Sequence, residues 1–127
     1  MSNLIHSEIT GKILEAFFNV YHELGYGFLE KVYENAMLIE LDELGLECRS
    51  QQPISVFYNE EHVGEYFADL VVEGKVIVEL KASEGFREEH EAQLINYLRA
   101  TDKEVGILLN FGKKPQYKRK VFSNSRK

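Results

Sequence analysis

The sequence predicts an α/β domain in which helices pack on a mixed β-sheet, and three observations carry that prediction. Apolar residues recur at helical spacing over residues 9–44. The period then shortens to two for three strand-like segments between residues 52 and 82. Beyond these, a helical stretch and a buried-looking strand alternate, the pattern of a sheet with helices on its faces.

The first helix rests on Ile9, Ile13, Ala16, Phe17, Val20, Tyr21 and Leu24, with Ser7 as its N-cap and Gly25 and Gly27 as its break. Leu29, Val32, Tyr33, Ala36, Met37, Leu41 and Leu44 form the stripe of a second helix ending at Gly45. Residues 52–58 then read as a strand, Asn59-Glu60-Glu61 as a turn, and Val63 to Val72 as a second strand. Glu73-Gly74 supplies a turn into a third strand, Val76 to Ala82. A helix over Glu88 to Ala100 leads to a buried strand at Val105 to Asn110, after which Asn110-Phe111-Gly112 makes the turn and Tyr117 to Phe122 adds an edge strand. Joining the third strand to Val105–Asn110 through a helix implies a right-handed crossover.

A chain of 127 residues is the size of one domain, and we read residues 1–127 as a single unit. It should bury roughly two-thirds of its unfolded surface, enough to fold without staples. With 44% hydrophobic and 28% charged residues, the composition argues against disorder. Cys48 is the sole cysteine, which excludes an internal disulfide and a multi-thiol zinc site. The start lacks a basic segment followed by an apolar one, and no apolar run is long enough to span a membrane, so the expected location is cytoplasmic. The net charge of −6 is uneven: residues 1–112 hold all 21 acids and 8 bases, whereas residues 113–127 hold 7 bases and no acid. This basic C-terminal tail reads either as a phosphate-binding arm, with Lys118 and Arg119 as substrate contacts, or as a frayed, solvated terminus.

The residues that can do chemistry converge on the second and third strands. Alternation puts Glu79 and Lys81 on one face of the third strand, and Asp69 on the same face of the second as Phe67 and Val71. If the hairpin turns through Glu73-Gly74-Lys75, Asp69 falls opposite Glu79, whereas a two-residue turn would place it opposite Val78. Two carboxylates about 5 Å apart repel by roughly 3 kcal/mol at an effective dielectric of 20. A cation relieves that cost, and Mg²⁺ (or Mn²⁺) suits oxygen ligands that leave room for water. Lys81 could position the attacking water or offset charge on phosphorus. Taken alone, Glu79-Leu80-Lys81 also fits a charged edge of a solvated face.

Two helices offer support. His90, Gln93 and Tyr97 fall at i, i+3 and i+7, on one helix face, where Gln93 could hold the Lys81 amine or a phosphate and Tyr97 could donate to a phosphate oxygen. His90 is a further candidate for substrate binding. Glu30 and Tyr33, at i and i+3 of the second helix, could supply a third metal carboxylate and a substrate contact. A first-turn glutamate favoured by the helix dipole is the commoner reading of Glu30. No phosphate-cradling glycine loop, HExxH motif or nucleophile with an evident histidine and acid competes with this set.

Gly27-x-x-Glu30-x-x-Tyr33, Asp69, Glu79-Leu80-Lys81, the helix with Gln93 and Tyr97, and Leu109-Asn110-Phe111-Gly112 together resemble the GxxExxY family, which is assigned to the PD-(D/E)XK nuclease superfamily. The resemblance runs from about residue 5 to residue 122. It implies a restriction-endonuclease-like αβββαβ core with a mixed central sheet flanked by helices, and metal-dependent phosphodiester cleavage at Asp69, Glu79 and Lys81. The helix carrying Gln93 and Tyr97 is similar to that of RecB-like and phage-exonuclease-like members, where such residues help the site engage substrate. Ala68 stands where the superfamily name has proline.

The expected partner is therefore nucleic acid, DNA before RNA, and no membrane. A homodimer or a partner protein is compatible with the 12% aromatic content. The alternative is a catalytically inactive nuclease-fold adaptor that binds nucleic acid or a protein. The acidic body weighs against tight processive DNA binding, since such affinity comes from cationic contacts to phosphates.

Overall fold

The computed structural model describes residues 5–127; Met1 to Leu4, on which the reading of the start partly rests, lie outside the described residues. The elements run α1 (Ser7–Leu24), α2 (Glu30–Glu43), β1 (Cys48–Tyr58), β2 (Glu61–Val72), β3 (Val76–Lys81), α3 (Glu88–Ala100), β4 (Val105–Phe111) and β5 (Pro115–Val121), then a short 3-10 turn at Asn124–Arg126. Three helices on a five-stranded mixed sheet is the restriction-endonuclease-like α/β arrangement expected. No described helix is long and apolar enough to cross a membrane.

The sheet order is β1-β2-β3-β4-β5. All neighbours are antiparallel except β3 and β4, which are parallel and joined through α3. Period-two burial then sorts the side chains into two layers. Leu70, Val72, Val78, Leu80, Ile107, Leu109 and Phe111 pack under α1 and α2 with Ile13, Phe17, Tyr33, Met37 and Leu41. Ile77 and Leu108 pack under α3 with Leu94, Tyr97 and Leu98. All seven residues of β4 are buried, as a central strand covered on both faces requires.

The turn between β2 and β3 fixes everything at the site. Val72 pairs with Val76 and Leu70 with Val78, so the turn spans Glu73-Gly74-Lys75, with Glu73 and Gly74 at positive φ. One step beyond the last pair, Asp69 comes opposite Glu79. This is the register that the chemistry needs.

Several expectations are corrected. Ser7 is the first residue of α1 and His6, in a left-handed conformation, holds the cap position without a side-chain bond. Leu29 precedes α2 and is 82% exposed instead of joining its apolar stripe, because the helix begins only at Glu30. Asn110 and Phe111 belong to β4, so the turn follows them. The basic segment is neither a free arm nor frayed: Pro115–Val121 pairs along β4, and the Phe122 N–H is anchored on the Glu104 carbonyl at 2.8 Å.

Candidate active site

The two acids sit where the sheet forks. Past Leu70 and Val78 the β2–β3 ladder stops, and side chains take over the backbone bonding. The Asp69 N–H donates to Glu79 Oε2 at 2.8 Å, and the Leu80 N–H donates to Asp69 Oδ2 at 2.8 Å. Each carboxyl group thus satisfies the strand carrying the other, and both are held in place by these bonds.

The far side of β2 contributes to the fork. Ser50 pairs with Leu70 and Gln52 with Ala68, but Gln51 between them has φ +50 and no partner. Leu70 and Val72 pack toward α1 and α2, whereas Ala68 packs toward α3, so the alternation of β2 slips by one residue at Asp69. Tyr66 therefore turns toward α3, where its ring lies 5.8 Å from that of Tyr97. Phe67 consequently faces away, and the expectation that it shares a face with Asp69 fails at this slip.

The electrostatics at the fork are unfavourable to two negative charges. Glu79 is 4% exposed, and burial first, then the charge of Asp69, push its pKa up to about 8; the Asp69 N–H and Lys81 oppose the shift. Asp69 is also raised, by burial first and then by Glu34 and Glu30, against the pull of the Leu80 N–H and Lys81. Only one oxygen of each carboxylate is engaged, and no fully buried side-chain oxygen or nitrogen lacks a partner among the described residues. Asp69 Oδ1 and Glu79 Oε1 therefore open to solvent. Two free, electron-rich oxygens in a setting that resists ionisation fit a divalent cation. Among the described residues no group of three or more His, Cys, Asp or Glu side chains is placed to hold a metal ion.

Lys81 is half-buried at the end of β3, level with Asn110 of β4, and makes no ion pair within 4.0 Å among the described residues. Its charge nevertheless reaches Asp69, Glu79 and His90. Tyr97 is buried, and burial, then Glu79 and Asp69, push its hydroxyl up to about 12. Gln93 is half-buried beside it, its amide without a partner among the described residues and not on the Lys81 amine.

Other expected site residues are placed differently. Glu30 is exposed at the first residue of α2 and influences Asp69 and Glu79 only through space. The His90 Nδ1 accepts the Arg87 N–H at 3.2 Å, capping α3, and burial, then Lys81, lower its pKa. Tyr33 is no substrate contact: it is fully buried, stacks on Phe111 at 4.2 Å, donates to the Gly25 carbonyl at 2.7 Å and accepts the Phe28 N–H at 3.3 Å. Lys118 and Arg119 alternate on β5 and cannot grip one phosphate together. Lys118 binds Glu91 at 2.8 Å, as does Lys120 at 2.7 Å, and the two hold the Glu91 carboxyl down at about 2. The Arg119 guanidinium instead donates to the Ile5 carbonyl.

Two residues to which the sequence assigned no role at the site, Glu34 and Asn110, shape it. Glu34, only 4% exposed, accepts from Gln51 Nε2 at 2.8 Å and pairs with Lys31 at 2.7 Å, tying α2 to the kink opposite Asp69. Its i, i+3, i+7 spacing with Met37 and Leu41 was the available signal, an acid on an apolar face. Asn110, fully buried, accepts the Ser83 N–H at 3.0 Å and donates to the Ser83 carbonyl at 3.0 Å, fixing the backbone two residues past Lys81. A Cβ on Gly112 would overlap that same Ser83 carbonyl, so glycine is required there.

Comparison with known proteins gives a concordant picture. The family model described as PD-(D/E)XK nuclease superfamily matches residues 7–121. No curated protein matches the chain. Among solved structures, the crystal structure of SSO0001 is similar with a TM-score of 0.56 at 17% identity, over 73% of this chain and 50% of that one. The chain thus spans half the length of that protein, and the likeness speaks for the fold alone.

Proposed function

Because the chain belongs to the PD-(D/E)XK nuclease superfamily, we propose that it is a Mg²⁺- or Mn²⁺-dependent nuclease that hydrolyses phosphodiester bonds, with DNA as its substrate. The observation that carries this reading is the reciprocal pair Asp69–Glu79, each acid fixed by the other strand's N–H and each keeping one oxygen free.

Those two oxygens would hold the cation, which when bound supplies Lewis-acid polarisation of a phosphate and a lowered pKa for water. Lys81, free of any carboxylate partner within 4.0 Å among the described residues, brings positive charge to a phosphate whose negative charge grows during attack. The Tyr97 hydroxyl, its pKa pushed up to about 12, stays protonated at neutral pH and donates to a phosphate oxygen. Gln93, on the same helix face, orients substrate with its unpartnered amide. Glu30 acts at longer range, biasing the charge of the fork.

Cleavage of single-stranded DNA, duplex DNA and RNA with Mg²⁺ or Mn²⁺ tests the assignment, alongside Asp69→Ala and Lys81→Ala. Both variants should lose cutting while remaining folded, and EDTA should reproduce the loss. Metal-insensitive cutting, or variants as active as the parent, would overturn it. Binding without cleavage under every metal would mark a nuclease-fold adaptor.

A further inference from the structure

We propose that the groove between the β1–β2 hairpin and α3 holds the unstacked bases of a single DNA strand and leads that strand to the Asp69–Glu79 fork. This rests on the nuclease reading and narrows its substrate to single-stranded DNA.

The groove has a volume of about 900 Å³, within the range of ligand-sized clefts. One wall carries Phe57 and Tyr66, which are 61% and 50% exposed. Ser55, Val56 and Phe57 of β1 all line the groove, beside the point where the β1–β2 register shifts and Val63 is the extra residue of β2. The phase slip at Asp69 re-aims Tyr66 toward the groove. Phe57 and Tyr66 thus present two exposed aromatic faces to one surface.

The opposite wall is α3, where Gln93 and Asn96 present amides that have no hydrogen-bond partner among the described residues. Aromatic faces opposed by free amides match nucleobases, whose faces stack and whose edges donate and accept. Duplex DNA hides those faces within its own stack, so only an unpaired strand can offer them to this wall. The groove has no cationic row: Arg99 is its one arginine or lysine, its guanidinium lies 5.1 Å over the Phe122 ring, and Glu89 offsets it.

Tyr97 links the groove to the fork. It lines the groove, touches the Tyr66 ring, and lies within electrostatic reach of both Glu79 and Asp69. A strand whose bases occupy the aromatic wall therefore has its backbone delivered toward the carboxylates and Lys81.

Binding in EDTA of a short DNA single strand carrying one 2-aminopurine, followed by its fluorescence, tests the inference without cleavage. The probe should quench on binding, as a stacked base does. Phe57→Ala and Tyr66→Ala should each weaken affinity about tenfold, within the range for loss of one base–aromatic stack, and Tyr66→Phe should restore it. An abasic strand of equal length should bind at least about tenfold more weakly, and the salt slope should correspond to no more than about two phosphates. Equal affinity for the abasic strand, tighter binding of blunt duplex, undiminished affinity in the alanine variants, or no binding of any strand would overturn it. The two readings fail separately. Duplex cutting indifferent to Phe57 and Tyr66 removes the groove and leaves the nuclease, whereas quenched binding with no cutting under any metal does the reverse.

Discussion

Replacing Glu79 with glutamine should make the metal-free protein more stable, and increasingly so as pH rises. Glutamine keeps the oxygen that accepts the Asp69 N–H but cannot ionise. In the parent, Glu79 titrates near 8 in the folded state against an ordinary value of 4.5 once unfolded. Between those values the folded chain holds a proton that the unfolded chain has released, so stability falls as pH rises through the window. A shift of that size corresponds to a ceiling of about 5 kcal/mol, reached above pH 8 and absent below pH 4.5. Sharing of the charge with Asp69 reduces what is realised to a few kcal/mol. Urea unfolding of parent and Glu79→Gln from pH 5 to pH 9 in EDTA reads the difference directly. The curves should nearly coincide at pH 5 and separate steadily above it. Magnesium should then recover the loss in the parent at pH 8, by about 2.7 kcal/mol at a hundredfold excess over its dissociation constant, and do little for the variant. A variant no more stable than the parent at pH 9, or a pH-independent difference, would refute the buried-charge reasoning.

Three further outcomes follow from the surroundings of the fork. Asn110→Ala should cost about 1–3 kcal/mol in chemical unfolding, since it removes the partner of both backbone groups of half-buried Ser83; a loss below about 0.5 kcal/mol would show the clamp to be unimportant. Gly112→Ala should destabilise by at least about 1–3 kcal/mol, because the added methyl meets a backbone carbonyl that cannot rotate away, and a neutral thermal shift would contradict that. Tyr33→Phe should lose about 1–2 kcal/mol of stability while oligonucleotide affinity is unchanged, the mark of a structural hydroxyl; a selective loss of affinity would restore it to the substrate site.

The shared face of Glu79 and Lys81 was legible because β3 alternates strictly. Glu79 and Lys81 need only period two to share a face, and the α3 stripe from Leu94 to Leu98 is equally local. Asp69 was legible only conditionally, since sequence alone does not distinguish a two-residue turn from the three-residue one that Glu73 and Gly74 adopt. The slip in β2 was not legible at all: it depends on the left-handed backbone of Gln51, a residue type with no preference for that conformation. Tyr33 was misread because its hydroxyl partners come from the glycine-containing loop before its own helix. The edge strand that carries Lys118 and Arg119 was legible, but their partners Glu91 and the Ile5 carbonyl, 27 and 114 residues away in sequence, were not.

All of the proposed chemistry depends on one cation seated between two strands. Crystals soaked in Mn²⁺ and measured at a wavelength where manganese scatters anomalously would locate it. The account predicts a single anomalous peak in contact with one oxygen of Asp69 and one of Glu79, absent from crystals of Asp69→Asn. Strong manganese peaks elsewhere with none at the fork would contradict it.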